Sequence, residues 1–355
     1  MTREEMRERI ESALLPPVVA LLVALVAGDL LILAVGQSPA AVYRLLVQGT
    51  WGNWYGFGQV LYKTTTLIAT GLAVSLGLRA GLFNIGAEGQ LAAGGFGAAL
   101  AGLALPAGTP AWIAVPACVA AAMAAGGAVG AVPGALRARF GAHEVITTIM
   151  LNFIVLALLN WIVVAHLRVP ETLHTPEIRA GAVPRLAVAW AAFHGSAANF
   201  TIGILLAAAL ATWWFLFRTR SGYELRAVGL QPDAAEYGGV GAGATWMRAL
   251  AISGMLAGLG GVNFVLGYKH YYEEGFAGGA GFLGIAVALV GRNHPAGVVV
   301  AALFFATLSQ GGLAVNALVP KQLVEVLQGV IILAVAASVP EVRRAIAAAR
   351  GGKRP

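Results

Sequence analysis

The sequence predicts an all-α polytopic membrane protein with about ten transmembrane helices. Three observations lead there. Of its 355 residues, 59% are hydrophobic and only 11% charged, whereas soluble domains carry about 25% charged residues. Mean hydropathy is +0.79. The apolar residues also form long runs rather than short alternating segments. In lipid the backbone must satisfy its own hydrogen bonds, and long runs do so as helices, not as a barrel.

Residues 1–16 read as a charged cytoplasmic segment with Arg3, Glu4, Glu5, Arg7, Glu8 and Arg9. Pro16 and Pro17 open an apolar run to about Gly36, which is longer than a secretory h-region of about 7–15 residues. It is read as an uncleaved first helix. Further apolar runs follow at 57–78, 82–105, 111–135, 145–166, 199–217, 248–268, 278–291, 296–312 and 321–339. The run at 278–291 is short and rich in glycine, as a half-helix would be. Residues 167–198 form a polar outer loop with Pro170, Pro176 and Pro184, suited to meeting an extracytoplasmic partner. Residues 218–247 form the longest inner polar stretch, and 340–355 a basic tail. No linker divides the chain, so 1–355 is expected to be a single membrane domain. Opposite starting sides for spans two to five and seven to ten suggest inverted repeats. Gly126, Gly130 and Gly134, like Gly254 and Gly258, recur every fourth residue, a spacing that lets helices pack closely in lipid.

The net charge of +7 lies at the ends of the apolar runs, a topology signal and not a nucleic-acid surface. With the N-terminus inside, the inner segments hold most of the Lys and Arg. The outer ones hold only Arg44, Arg168, Arg179, Arg185, Lys269 and Lys321. Both termini are therefore expected in the cytoplasm, and the tail at the anionic inner leaflet. Asp29 and Lys63 are charges within spans, where such residues are functional by default; the alternative is that they pair with each other.

Several chemistries lack their residues. Cys118 is the single cysteine, so neither an internal disulfide nor a cysteine metal site is expected. His166, His174 and His194 are irregularly spaced, and no metal ligand set is assigned. Tyr62 stands where a Walker A loop before Lys63-Thr64 needs glycine. His143-Glu144 is followed by Val145, Ile146 and Thr147, so the zinc-protease pattern fails, and no serine sits in a nucleophile elbow. The chain is not expected to be an enzyme, and its driving energy must come from a partner or an ion gradient.

Two segments carry polar groups in informative places. In Gly81–Leu91, Asn84, Glu88 and Gln90 lie among Gly81, Gly86 and Gly89. A carboxylate in the membrane costs about 2.5–3.5 kcal/mol on insertion scales and usually faces the bundle interior or a wet path. Asn84 and Glu88, four apart, are expected on one helix face, in a broken or re-entrant helix. The structural alternative is a Glu88–Arg79 pair at the inner interface. Phe83 and Asn152 join Asn84 and Glu88 as pathway residues, although Asn152 would equally hydrogen-bond a neighbouring helix. In the second segment, Pro232 and Asp233 signal a helix start, and Gly238, Gly239, Gly241 and Gly243 its end. A short cytoplasmic helix is expected between two spans.

The run D-A-A-E-Y-G-G from Asp233 to Gly239 resembles the E-A-A-x-x-x-G loop of ATP-binding-cassette importer permeases, with Asp for Glu. Three further stretches, Gly81–Gln90, His143–Asn152 and Gly284–Gly297, resemble permeases for nucleosides and simple sugars, the branch that includes ribose and branched-chain amino-acid permeases. Within it the chain is most similar to the longer of two paired permease subunits of bacterial nucleoside importers. The resemblance covers about residues 60–340. It implies a permease of the bacterial cytoplasmic membrane, paired with a second permease in a heterodimer. It also implies an extracytoplasmic substrate-binding protein and cytoplasmic ATPase subunits, which would hold the ATP and Mg; this chain would carry no cofactor. Residue by residue, Asp233, Ala234, Ala235 and Gly239 take the ATPase-coupling role, with Glu236 between them and Arg226, Pro232 and Tyr237 beside them. Phe83 offers a ring on which a nucleoside base would stack. The competing reading is an ion-coupled secondary transporter using Asp29, Lys63 and Glu88.

Overall fold

The computed structural model describes residues 25–320 and 322–331, with Leu22 and Leu333. The first and last segments of the sequence analysis, 1–16 and 340–355, lie outside the described residues. Those described form helices and no strand, with only two isolated β-bridges. The helices are α1 (Leu25–Ala34), α2 (Pro39–Thr50), α3 (Trp54–Arg79), α4 (Ala87–Ala104), α5 (Ala111–Phe140) and α6 (Glu144–Ile162). They continue with α7 (Thr201–Arg218), α8 (Arg220–Leu230), α9 (Pro232–Tyr237), α10 (Ala242–Phe264), α11 (Ala280–Val290), α12 (Pro295–Ala314) and α13 (Gln322–Ile331). Turns of π-helix extend α6 to Leu167 and α10 to Lys269.

The all-α polytopic class expected from composition is the class observed. The count of about ten spans is not confirmed, and the expected runs to Gly36 and at 321–339 lie partly outside the described residues. Among the described residues six helices are long and apolar enough to cross a membrane, or seven if α1 and α2, bent by 112°, count as one. The reasons are local. Helix α4 carries Glu88, Gln90 and several glycines, which lower its hydropathy. Helix α11 is only 11 residues long, about 16 Å at 1.5 Å per residue, half of a bilayer core. The helix α2 was not anticipated, because Pro39 starts it directly after the break at Gly36–Ser38.

Two compact units emerge. One comprises Trp54–Ala306, and the other the described residues of Met1–Asn53 and Thr307–Pro355. In the smaller unit Ile32, Val42, Val315 and Val319 form an apolar core. There Asp29 accepts a hydrogen bond from the Tyr43 hydroxyl at 2.8 Å, so the membrane carboxylate has a phenol partner.

In the larger unit α10 is mostly buried and packs on α3, α4 and α5. The two glycine series noted in the sequence meet each other. A Cβ on Gly126 would stand 2.3 Å from the Gly254 carbonyl, and one on Gly130 2.2 Å from the Leu250 carbonyl. From the other side a Cβ on Gly94 of α4 would stand 2.2 Å from the Gly258 Cα. Backbones at this separation gain van der Waals contact unavailable to larger residues, the main attractive force between helices in lipid. By contrast only about a quarter of α6 and of α7 is buried, with Ile146, Phe153, Trp161, Leu210 and Trp214 exposed, as in lipid-facing helices.

Candidate functional site

Helix α3 ends at Arg79, and the chain reverses through Gly81 at φ +72°. Residues 82–86 are irregular yet largely buried, with Leu82 and Asn84 fully so. Irregular backbone away from water must find partners for its N–H and C=O groups. Side chains supply them. Asn84 accepts from the Gly86 N–H at 2.9 Å and pairs with the Gln90 amide, Nδ2 to Oε1 at 2.8 Å and Nε2 to Oδ1 at 3.2 Å. Its Nδ2 also donates to Ser253 Oγ of α10 at 2.7 Å, and Ser253 donates to the Ala73 carbonyl of α3 at 2.6 Å. One amide thus ties the loop to α4, α10 and α3.

Helix α6 supplies the rest. Glu144, Thr148 and Asn152 are four apart and buried on a helix whose other face is apolar and exposed. Glu144 accepts from the Phe83 N–H at 3.4 Å, and Thr148 from the Ile85 N–H at 3.3 Å. Asn152 accepts from the Gly89 N–H and donates to the Ile85 carbonyl, both at 2.8 Å. Glu144 is also in close ion contact with Arg137, whose guanidinium lies 4.6 Å over the Trp246 ring. Gln90 is noted in the sequence beside Asn84 and Glu88 without a role of its own, while Ser253, Glu144 and Thr148 are not picked there as site residues. The i, i+4, i+8 spacing of three polar residues in an apolar helix was the available signal.

Glu88 departs from the expectation. It does not share a helix face with Asn84, because α4 starts only at Ala87 and Asn84 precedes it in the irregular segment. Nor is Arg79 its partner: Arg79 Nε donates to the Asn293 carbonyl at 2.8 Å. Instead the two carboxylate oxygens of Glu88 accept from the Gly279 and Gly281 N–H groups, at 2.8 and 2.6 Å. These are orphan donors at the start of α11, where the helix dipole favours an anion. Gly281 is held close by the same contact, since a Cβ there would lie 2.3 Å from the Glu88 nitrogen. Of the four expected pathway residues, Asn84, Glu88 and Asn152 are buried and internally hydrogen-bonded, and Phe83 is half-buried.

The second segment folds as α8 and α9. Helix α9 starts at Pro232 with Asp233 in its first turn and stops before Gly239, at φ +82°. Ala235 is its buried residue, packed with Val228 and Ala242. Asp233, Ala234, Glu236 and Gly239 are exposed, Tyr237 is completely so, Pro232 and Arg226 are half-buried, and Leu230 is 84% exposed. A short helix is thus seated by one small residue and presents its other faces outward. Helix α8 backs onto the Arg79–Gly81 turn: a Cβ on Gly229 would stand 2.1 Å from the Arg79 carbonyl.

At the opposite end of α7 the segment 168–199 folds over α10. Thr175, Ile178 and Val183 donate backbone hydrogen bonds to the carbonyls of Tyr272, His270 and Leu266. An open cleft of about 700 Å3 there is lined by Arg185, His194, Ser196 and His270 among others. Burial first, and then the charge of Arg185, hold the His270 imidazole below the usual histidine range.

The family model for the branched-chain amino acid transport system / permease component matches residues 56–336. The chain belongs to that family: it is a multi-pass membrane protein and the permease subunit of an ABC importer, not its ATPase and not an enzyme. It is 38% identical over 330 residues to the guanosine ABC transporter permease protein NupP of Bacillus subtilis (strain 168), covering 92% of this chain and 94% of the relative. It is 35% identical over 331 residues to the nucleoside ABC transporter permease protein NupB of Lactococcus lactis subsp. cremoris, with 91% and 90% covered. It is also 34% identical over 330 residues to the glucose ABC transporter permease protein TsgB13 of Haloferax volcanii, with 89% and 85% covered.

Proposed function

We propose that the chain, 1–355 as one permease, forms the translocation path for a nucleoside or simple sugar and is driven by separate ATPase subunits through α9. The observation that carries this reading is the exposure of α9. Tyr237 and Leu230 are large apolar residues almost wholly exposed beside Asp233 and Glu236, as a helix awaiting a groove would be. The ATPase subunits bind ATP and Mg and move α9 as they close. That movement reaches the path along a short route. Helix α8 follows α9, Gly229 presses on the Arg79–Gly81 turn, and the turn leads into the buried segment 82–86. There Asn84 and Asn152 fix the backbone, Glu88 fixes the start of α11, and Phe83 offers its ring to the substrate.

A second permease completes the path as a heterodimer, and a substrate-binding protein delivers cargo to the 168–199 face. In this reading the protein sits in the bacterial cytoplasmic membrane with α9 and both termini in the cytoplasm. A neutral polar cargo suits the site, whose polar groups are mostly amides and hydroxyls already paired with backbone. The names of the relatives, nucleoside and glucose permeases, point to the same cargo class.

The test is uptake by the whole transporter carrying Asp233→Arg and Glu236→Arg. Like-charge juxtaposition at an interface costs several kcal/mol, so uptake of labelled guanosine or glucose, whichever the wild type carries, falls more than tenfold. The amount of protein in the membrane stays constant. Normal uptake by this variant would overturn the assignment of α9.

A further inference from the structure

The end of the bundle bearing α8 also holds two guanidinium cations and an imidazole gathered without acids. Its hub is Phe217, in the last turn of α7. The Arg226 guanidinium of α8 lies 5.3 Å from the ring centroid, and the Arg79 guanidinium of α3 lies 5.7 Å from it. The His294 imidazole, from the turn before α12, stacks on the same ring at 5.5 Å and 27°. Among the described residues no Asp or Glu pairs with any of the three. The acid on α8, Glu224, is engaged by Arg220 at 2.9 Å and Arg248 at 3.6 Å.

Arg226 Nε is buried and has no hydrogen-bond partner, and only the Nε of Arg79 has a partner of its own, the Asn293 carbonyl. A guanidinium stays charged in proteins, and a half-buried one with no counter-charge and a buried, unpartnered Nε is left short of partners. His294 is held below the usual histidine range by burial and then by Arg79, with no acid acting in the other direction. The cluster is therefore built for an anion that the described residues do not supply.

The depth of the cluster indicates which anion. Leu206, Leu210 and Trp214 on α7 are exposed by 45%, 66% and 58%, a face for acyl chains. Trp213 and Trp214 end this apolar face, as an aromatic belt would, and the Arg218 guanidinium lies 5.7 Å over the Trp213 ring. Such belts mark the headgroup layer. Phe217 is one turn further along the same face, so its cations stand where lipid phosphates lie. Guanidinium groups match phosphate with paired hydrogen bonds, and basic pockets between spans are suited to anionic headgroups.

We propose that Arg79, Arg226 and His294 around Phe217 form a phosphate-binding site filled by the headgroup of an acidic phospholipid. The site needs no assignment of the leaflet, only the headgroup depth.

The test uses the full chain in mild detergent and native mass spectrometry, titrating phosphatidylglycerol, phosphatidylcholine and inorganic phosphate separately. Wild type binds phosphatidylglycerol in preference to phosphatidylcholine, and the double variant Arg79→Gln, Arg226→Gln binds phosphatidylglycerol about tenfold or more weakly. Arg218→Gln, which alters the neighbouring cation over Trp213, leaves that affinity within about twofold. If the double variant does not fold, Arg226→Gln alone is used, with an expected loss of about fivefold. Inorganic phosphate bound as tightly as phosphatidylglycerol would keep the phosphate site but overturn the lipid as its source. Unchanged phosphatidylglycerol binding in the variants would overturn the site. So would variants that lose only the co-purifying ATPase subunit, since an acidic side chain of a partner would then be the counter-charge.

Discussion

Glu88 illustrates how a membrane carboxylate can be committed to the backbone of a neighbouring helix. Both oxygens are spent on the first N–H groups of α11. Glu88→Ala leaves those buried donors without acceptors, and hydrogen bonds to a charged group are worth about 1.5–3 kcal/mol each. The expected loss is about 3 kcal/mol, read as a fall of several degrees in the thermal midpoint of the purified protein. Glu88→Gln keeps one acceptor oxygen and should lose about half as much. A midpoint unchanged in Glu88→Ala would mean that α11 does not depend on this cap. Asn152 holds one donor and one acceptor of the 85–89 backbone, so Asn152→Leu, similar in size but unable to hydrogen-bond, should cost about 2 kcal/mol in the same assay.

At the scale of elements, the crossing of α5, α10 and α4 depends on missing side chains. Gly258 faces Gly126 on one side and Gly94 on the other, with backbone atoms 2.2–2.8 Å from the Cβ positions concerned. Gly258→Leu forces three helices apart, and the variant is expected to fail to accumulate in the membrane. Gly203→Leu on α7, where nothing lies within 4 Å of a Cβ, should accumulate normally. Equal expression of the two, compared by quantitative immunoblot, would show that the crossing tolerates side chains. The same scale explains α11. Its 11 residues are too short to span alone, and its start is fixed from outside itself by Glu88. It therefore behaves as a piece of the packed interior, where backbone breaks are tolerated.

For the whole molecule, orientation is the property to measure, and the sequence supplies a convenient background. Cys118 is the single cysteine and is fully buried, so a membrane-impermeant maleimide should leave the wild type unlabelled. Cysteines introduced at Tyr237, on α9, and at Val188, 79% exposed in the 168–199 segment, stand at opposite ends of α7. With α9 in the cytoplasm, Val188→Cys labels in intact cells and Tyr237→Cys only in inverted vesicles. The reverse pattern would invert the topology and place α9 away from any ATPase.

The sequence by itself determined the membrane class, through a shortage of charge that no water-exposed surface could have. It also determined the short helix α9, because Pro232, Asp233 and Gly239 are local signals that need no distant partner. The glycine series declared close packing in the same way, although which series met which had to come from the fold. Only the tertiary structure decided where polar side chains spend their hydrogen bonds. Asn84 and Glu88 look like neighbours at a helical spacing, but the helix begins between them, and their partners lie on α10 and at the start of α11. Glu144, Thr148 and Asn152 serve backbone more than 60 positions away in the chain. Such pairings are set by which buried donors lack an acceptor once the helices have packed, a quantity that does not exist until the fold does.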